Sequence, residues 1–209
     1  MKGLSSLAKW SLGSSAICLA LLSGCSQLPQ NSEAEQEASP SFFVAREKTL
    51  PLPTFVCEKS DSKPESTLLS FKYQKESHSL IVVSRCQDGV LTMDGLLPTG
   101  IALFSLTWDG KTVDAKVKLP VPNAPDPKQI LGDYLLAHLP LSFWEALLPQ
   151  GYTMKDVSST ERTLSGPQGL LETIRYSVDS GKRVPRNVEQ HHFGYTITLA
   201  PVEGIENTH

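Results

Sequence analysis

From about residue 42 the chain alternates apolar and polar side chains with a period of two. In KTVDAKVKL, Val113, Ala115, Val117 and Leu119 share one side, with Thr112, Asp114, Lys116 and Lys118 on the other, as a pleated strand requires. Phe193, Tyr195, Ile197 and Leu199 alternate in the same way with Gly194, Thr196, Thr198 and Ala200. Weaker alternation runs through TLLSFKY, SLIVVSRC, VLTMD and LLETIRYSV. Asp88-Gly89, Asp109-Gly110 and Ser180-Gly181 separate these runs, and such dipeptides suit tight hairpin turns. The pattern predicts an antiparallel meander with one apolar and one polar face.

One stretch leaves that period. After the Pro-rich VPNAPDP, Asp126 can cap a helix whose first position is Pro127, where a missing N–H costs nothing. The helix predicted through KQILGDYLLAHL carries Ile130, Leu131, Tyr134, Leu135 and His138 on one stripe, and Pro140 ends it. Ser142 and Glu145 have the spacing of a capping box for a second helix, SFWEALL, stopped by Pro149 and Gly151. Two helices inserted in one meander must cover its apolar face. The expected fold is therefore mainly β with helices (α+β), an antiparallel sheet under a short two-helix lid. A cavity fits between the layers.

The N-terminus reads differently. Lys2 and Lys9 precede the apolar stretch WSLGSSAICLALL, which ends in Leu22-Ser23-Gly24-Cys25. A membrane span needs about 20 apolar residues, so this is the h-region of a signal peptide. Leu-Ser-Gly-Cys is a lipobox, whose cysteine receives diacylglycerol after small residues admit the peptidase. Residues 1–24 are thus expected to be a lipoprotein signal, with Cys25 the lipidated residue. Ser26 stands where an aspartate would hold a lipoprotein at the inner membrane, which implies the periplasmic face of the outer membrane. Residues 25–41 are polar, acidic and Pro-punctuated, a tether spanning roughly 20–25 Å on average. Residues 42–205 then form a single domain.

Charge and cysteines narrow the partners. The full chain carries a net −3, and loss of Lys2 and Lys9 makes the mature protein more acidic still. That argues against nucleic acid and against electrostatic attraction to anionic headgroups. The membrane partner is reached through acyl chains. With Cys18 in the leader and Cys25 lipidated, Cys57 and Cys86 are left in an oxidising compartment and are expected to pair. Two free thiols or a two-Cys metal site stay open as alternatives, although there is no CxxC and no His at ligand spacing. No metal and no cofactor are expected.

Several segments together resemble LolB, the outer-membrane lipoprotein that receives other lipoproteins from the periplasmic carrier LolA. Leu68-Leu69-Ser70-Phe71-Lys72-Tyr73-Gln74 is similar to that family's aromatic-rich strand ending in Trp-Gln. Asp94-Gly95-Leu96-Leu97-Pro98-Thr99-Gly100 is similar to its exposed Pro-Leu-Gly turn. Leu136 to Tyr152 (LAHLPLSFWEALLPQGY) resembles its lid, and Val184-Pro185-Arg186-Asn187-Val188 has a counterpart before the last strand. The chain departs from LolB in its Cys57/Cys86 pair, its longer linker at 120–127 and its two-leucine loop. It is closer to a LolB-like lipoprotein family associated with aryl polyene gene clusters. The resemblance implies a LolA/LolB-like half-open β-barrel and a role in binding acyl chains or lipidated cargo for delivery to the outer membrane. A LolA-like carrier would be a partner. The alternative is a non-transferring accessory or scaffold lipoprotein of an envelope or aryl polyene lipid assembly system.

Candidate residues follow from these two lines. Leu131, Leu135, Phe143, Trp144 and Leu147 are expected in the cavity or lid, with core packing the competing reading for Phe143 and Trp144. Leu96 and Leu97 lie beside four turn-favouring residues. Either they pack back on the sheet, or they form a membrane-inserting tip. Catalysis is not expected, since the chain has no GxSxG, HExxH, P-loop or GxGxxG. His191 and His192, adjacent in an expected strand, would face opposite sides. A serine or cysteine brought to His138 or His192 would be the sign of an enzyme.

Overall fold

The structure is a computed structural model that describes residues 39–55, 57, 64–122 and 124–202. The leader, Cys25 and the tether as far as residue 38 lie outside the described residues. Two short strands, β1 (Ser41–Ala45) and β2 (Lys48–Pro51), form a separate hairpin. The remaining strands are β3 (Glu65–Tyr73), β4 (Glu76–Gln87), β5 (Val90–Leu96), β6 (Ala102–Trp108), β7 (Val113–Val117), β8 (Thr153–Ser158), β9 (Glu161–Gly166), β10 (Gly169–Asp179), β11 (Lys182–Gln190) and β12 (Tyr195–Pro201). They build one antiparallel ten-stranded sheet in the order β7-β6-β5-β4-β3-β12-β11-β10-β9-β8. β7 and β8 are its two edges, so the sheet is not closed into a barrel.

Turn chemistry sets the register as expected. Asp88 and Gly89 have φ of 53° and 84°, and Ser180 and Gly181 have 48° and 80°. Two successive positive φ values give the turn whose twist matches the flanking strands. At the β6–β7 connection the Asp109 carboxylate accepts from the backbone N–H of Lys111 and Thr112 at 2.8 and 2.6 Å. The strand expected through His191 begins later than its pattern implied. Residues 191–194 are a turn, closed by Gly194 N–H donating to Gln190 O at φ 73°, and β12 starts at Tyr195. Phe193 therefore leaves the ladder and stacks on Tyr195, with ring centroids 6.3 Å apart.

Helix α1 (Pro127–His138) forms with the caps the sequence implied: the Asp126 side chain accepts from Lys128 N–H at 2.8 Å, and Leu139 follows as C-cap. The second helix does not form. A single 3-10 turn at Leu141–Phe143, with Pro140 and not Ser142 at its N-cap, and further turns occupy that stretch. Too few residues separate Pro140 from Pro149 to offset helix nucleation, and full burial of Trp144 fixes the loop instead. The lid is thus one helix and a loop.

One buried cluster joins hairpin, sheet and helix. Hairpin residues Phe42, Val44 and Leu50 are at most 2 % exposed. Phe42 meets Trp144 edge-on at 6.0 Å. The Gln129 side chain bonds the Phe43 backbone as a strand would, accepting from its N–H and donating to its carbonyl, both at 3.0 Å. Cys57 and Cys86 are joined by a disulfide, Cα atoms 5.9 Å apart, which ties the segment after the hairpin to β4.

Candidate functional site

α1 touches β1, β6, β7 and β11. Between it and the middle of the sheet lies a cavity of about 530 Å³, within the span of roughly 300–1,000 Å³ usual for small-molecule sites. Its sheet wall carries Leu69, Val82, Met93, Val188 and Ile197 from five different strands, with Ser66, Thr67 and Ser84 beside them. The apolar ones are the inward residues of the period-two pattern. Its helix wall is Ile130, Asp133, Tyr134, Ala137 and His138, which recur at three- and four-residue spacing along one side of α1.

The helix stripe read from sequence straddles two environments. Ile130, Tyr134 and His138 border the cavity, whereas Leu131 and Leu135, at 0 % exposure, belong to the solid core. Trp144, also at 0 %, is core, and neither Phe143 nor Leu147 lines the cavity. Phe143 is 37 % exposed and meets Phe55 edge-on. The cavity is therefore walled by the other flank of α1, not by the expected lid residues.

At the helix–sheet boundary stands a buried polar cluster that the hydrophobic pattern did not reveal. The strand register sets Tyr195, Gln190, Glu172 and Leu164 in a row across β12, β11, β10 and β9. Asp133, 4 % exposed, faces this row from α1. Its Oδ2 accepts from the Tyr195 hydroxyl at 2.9 Å, and its Oδ1 from Gln129 Nε2 at 2.9 Å. Burial lifts the Asp133 carboxyl to about 7, against the opposing pull of those two bonds. Glu172 is 1 % exposed, and neither of its oxygens has a hydrogen-bond partner among the described residues. Desolvation, reinforced by the nearby Asp133, pushes its carboxyl well above the ordinary range, so it is held neutral. Both acids sit in phase with apolar neighbours: Asp133 three residues after Ile130, and Glu172 two before Ile174. That phase was the available signal.

A second, open groove of about 460 Å³ lies on the other side of this cluster. Gln129 and Tyr195 line it together with Phe43, Phe71, Tyr73 and Phe193, while Asp133 lines the first cavity. The Asp133–Tyr195–Gln129 contacts thus stand between the two.

The C-terminal end of α1 is held by the sheet. Arg162, 4 % exposed on β9, donates through Nη1 to the carbonyls of Leu136 and Leu139 at 2.8 and 2.6 Å. Its Nε and Nη2 donate to Asp156 at 2.8 and 3.2 Å. The Tyr176 hydroxyl donates to Ala137 O at 3.0 Å. A cation on the last carbonyls also complements the helix dipole. Beside it, Arg183 pairs with Asp156 at 2.7 Å and lies over the Tyr176 ring at 3.8 Å. Arg183 borders the cavity, as do Lys182 and Arg186.

The other singled-out residues are placed as follows. Leu96 is the last residue of β5 and Leu97 begins the turn, closed by Gly100 N–H donating to Leu97 O at 2.8 Å. Both leucines are half-buried, and Leu97 packs on the core. The exposed apolar residue at this tip is Ile101, at 53 %. His138 is exposed, its Nδ1 2.8 Å from Tyr134 O and its ring stacked on Tyr134. His191 Nε2 lies 2.9 Å from Thr173 Oγ1. Among the described residues no helix is long and apolar enough to cross a membrane, and no group of three His, Cys, Asp or Glu side chains could hold a metal.

Residues 65–203 match the model of a family described as Protein of unknown function (DUF3261). No curated protein matches the chain.

Proposed function

We propose that this chain, which belongs to the DUF3261 family, is an outer-membrane lipoprotein that binds an acyl chain in the cavity beneath α1 and passes it to the membrane. One observation carries the reading: five strands present aliphatic side chains to a space that α1 roofs without filling. A domain serving only as a scaffold has no use for an apolar recess of this size, since protein interiors are otherwise close-packed. The LolB resemblance implies a half-open barrel under a two-helix lid; the chain keeps only the coarser plan, an antiparallel sheet with one helix over it. The lipobox and the polar tether support placement of the cavity within reach of the outer membrane.

The test is site-directed. The full-length chain, carried in neutral phosphatidylcholine nanodiscs, is illuminated with a photoreactive palmitate, and labelled peptides are identified by mass spectrometry. Label is expected on peptides of β11, β12 and α1, and Val188→Asp or Met93→Asp is expected to remove it. Val157→Asp, on the exposed edge strand β8, keeps it. Label confined to the segment near Cys25, or spread without preference, would instead support the accessory-lipoprotein reading.

A further inference from the structure

Aliphatic walls bind any hydrocarbon chain and say nothing about what the chain is attached to. Head-group selection has to come from the charged side chains on the cavity wall, where the cations outnumber the carboxylates. The run Gly181-Lys182-Arg183-Val184-Pro185-Arg186 opens β11 and brings three cations to the cavity wall. The chain as a whole is net −3, so this grouping does not follow from composition. The turn at Ser180 and Gly181 fixes where the run begins.

The three cations are not equivalent. Arg183 is already engaged by Asp156 and the Tyr176 ring. Arg186 donates through Nε to Ser177 Oγ at 2.8 Å, a bond that orients the guanidinium but leaves its charge unmatched. Neither Lys182 nor Arg186 has an ion-pair partner among the described residues. The other ionisable side chains on the lining are Glu65, His138 and the buried Asp133. Guanidinium and ammonium groups on the wall of an apolar cavity are donors suited to a carboxylate or phosphate.

We infer that the occupant is an anionic amphiphile, an acyl chain bearing a carboxylate or phosphate head, with the chain under α1 and the head held by Lys182 and Arg186. This rests on the cavity reading above and narrows it: an acylated protein, whose chains are joined through neutral ester and amide bonds, brings no anionic group at the point where the acyl chain is attached.

The test uses the full-length chain in the same neutral nanodiscs and measures displacement of the photoreactive palmitate by four competitors. These are palmitate, monopalmitoyl phosphate, the uncharged monopalmitoylglycerol and an N-palmitoylated peptide of no net charge. Both anions are expected to compete at concentrations about tenfold or more below those of the two neutral compounds, since a charge-assisted contact is worth roughly one order of magnitude in affinity. The order of the two anions separates carboxylate from phosphate as the natural head. Lys182→Gln with Arg186→Gln should erase the advantage and leave neutral competition unchanged, while Lys182→Arg with Arg186→Lys keeps it. In wild-type protein the advantage should also shrink as salt rises. Equal competition by charged and neutral lipids, or an unchanged advantage in the double Gln variant, overturns the inference and leaves the cavity reading standing. Better competition by the acylated peptide overturns it in favour of a protein cargo. Failure of all four to displace the label defeats the cavity reading itself.

Discussion

The Tyr195 hydroxyl donates to Oδ2 of Asp133 across the boundary between the last strand and α1, at 2.9 Å. Because Asp133 keeps its proton up to about pH 7 in the folded chain and only to about 3.8 when unfolded, folding is linked to protonation. The contribution of Asp133 to stability is fully present below the unfolded value, where both states are protonated. It falls as pH rises through the window from 3.8 to about 7, and levels off above it. A displacement of that size corresponds to a loss on the order of 4 kcal/mol. The upward shift of Glu172 acts in the same direction. Asp133→Asn should flatten the dependence and exceed the wild type in stability at alkaline pH. Urea midpoints at about pH 5 and pH 8 decide it; equal pH slopes for the two proteins would reject the linkage.

Arg162 carries the end of α1 on two carbonyl bonds and one carboxylate. Arg162→Met leaves those carbonyls buried and unpaired and removes one of the two cations on Asp156. A loss of about 3 kcal/mol is expected. Tyr176→Phe removes a single bond to Ala137 and should cost about 1 kcal/mol. Denaturant unfolding of the two variants gives the order, and a Tyr176→Phe cost equal to or above that of Arg162→Met would show that Arg162 is not the anchor.

Gly132 lies in the middle of α1, where alanine would ordinarily stabilise by about 1 kcal/mol. Here an added Cβ meets the ring of Phe42. Overpacking against a ring held at 2 % exposure should cost about 1–3 kcal/mol, so Gly132→Ala is expected to lower the melting temperature. Pairing it with Phe42→Leu should recover part of the loss, and a non-additive double-mutant cycle is the readout. Strict additivity would mean that the two sites do not touch.

The β5–β6 turn separates core from tip. Leu97→Glu buries a charge against the core and should lower stability markedly. Ile101→Glu changes an exposed position and should leave melting within about 0.5 kcal/mol of wild type. If the turn enters the bilayer during delivery, Ile101→Glu slows transfer of bound lipid to liposomes while uptake is unaltered. Normal transfer by this variant would remove the tip from the delivery step.

Local rules carried the sequence reading furthest where one or two residues decide the geometry. Asp88-Gly89 and Ser180-Gly181 specify turns through φ alone, and Asp126-Pro127 specifies the start of α1. The expected second helix fails although the spacing of Ser142 and Glu145 satisfies a capping pattern, because the burial of Trp144 is a tertiary fact. The wall of the cavity was hidden for a related reason. Periodicity identifies which side of α1 leaves water, yet Leu131 and Ile130 leave it for different surroundings, packed core and void. Closure is equally out of reach: Val113 to Leu119 alternate like an interior strand, and only the failure of β7 to pair with β8 distinguishes an open sheet from a barrel.

β12 lies between β3 and β11, so the final strand in sequence occupies an interior place in the sheet. Strands β3 to β7 join neighbours in sequence, as do β8 to β11, and both groups can form from local hairpins. Their junction waits for residues 195–201, whose partners in β3 begin more than a hundred positions earlier. Contacts of such separation form late, because loop-closure entropy must be met before they contribute. A chain emerging N-terminus first cannot complete this sheet until residues 195–201 have appeared. That order leaves the β3 and β11 edges exposed to misassembly in any product lacking β12.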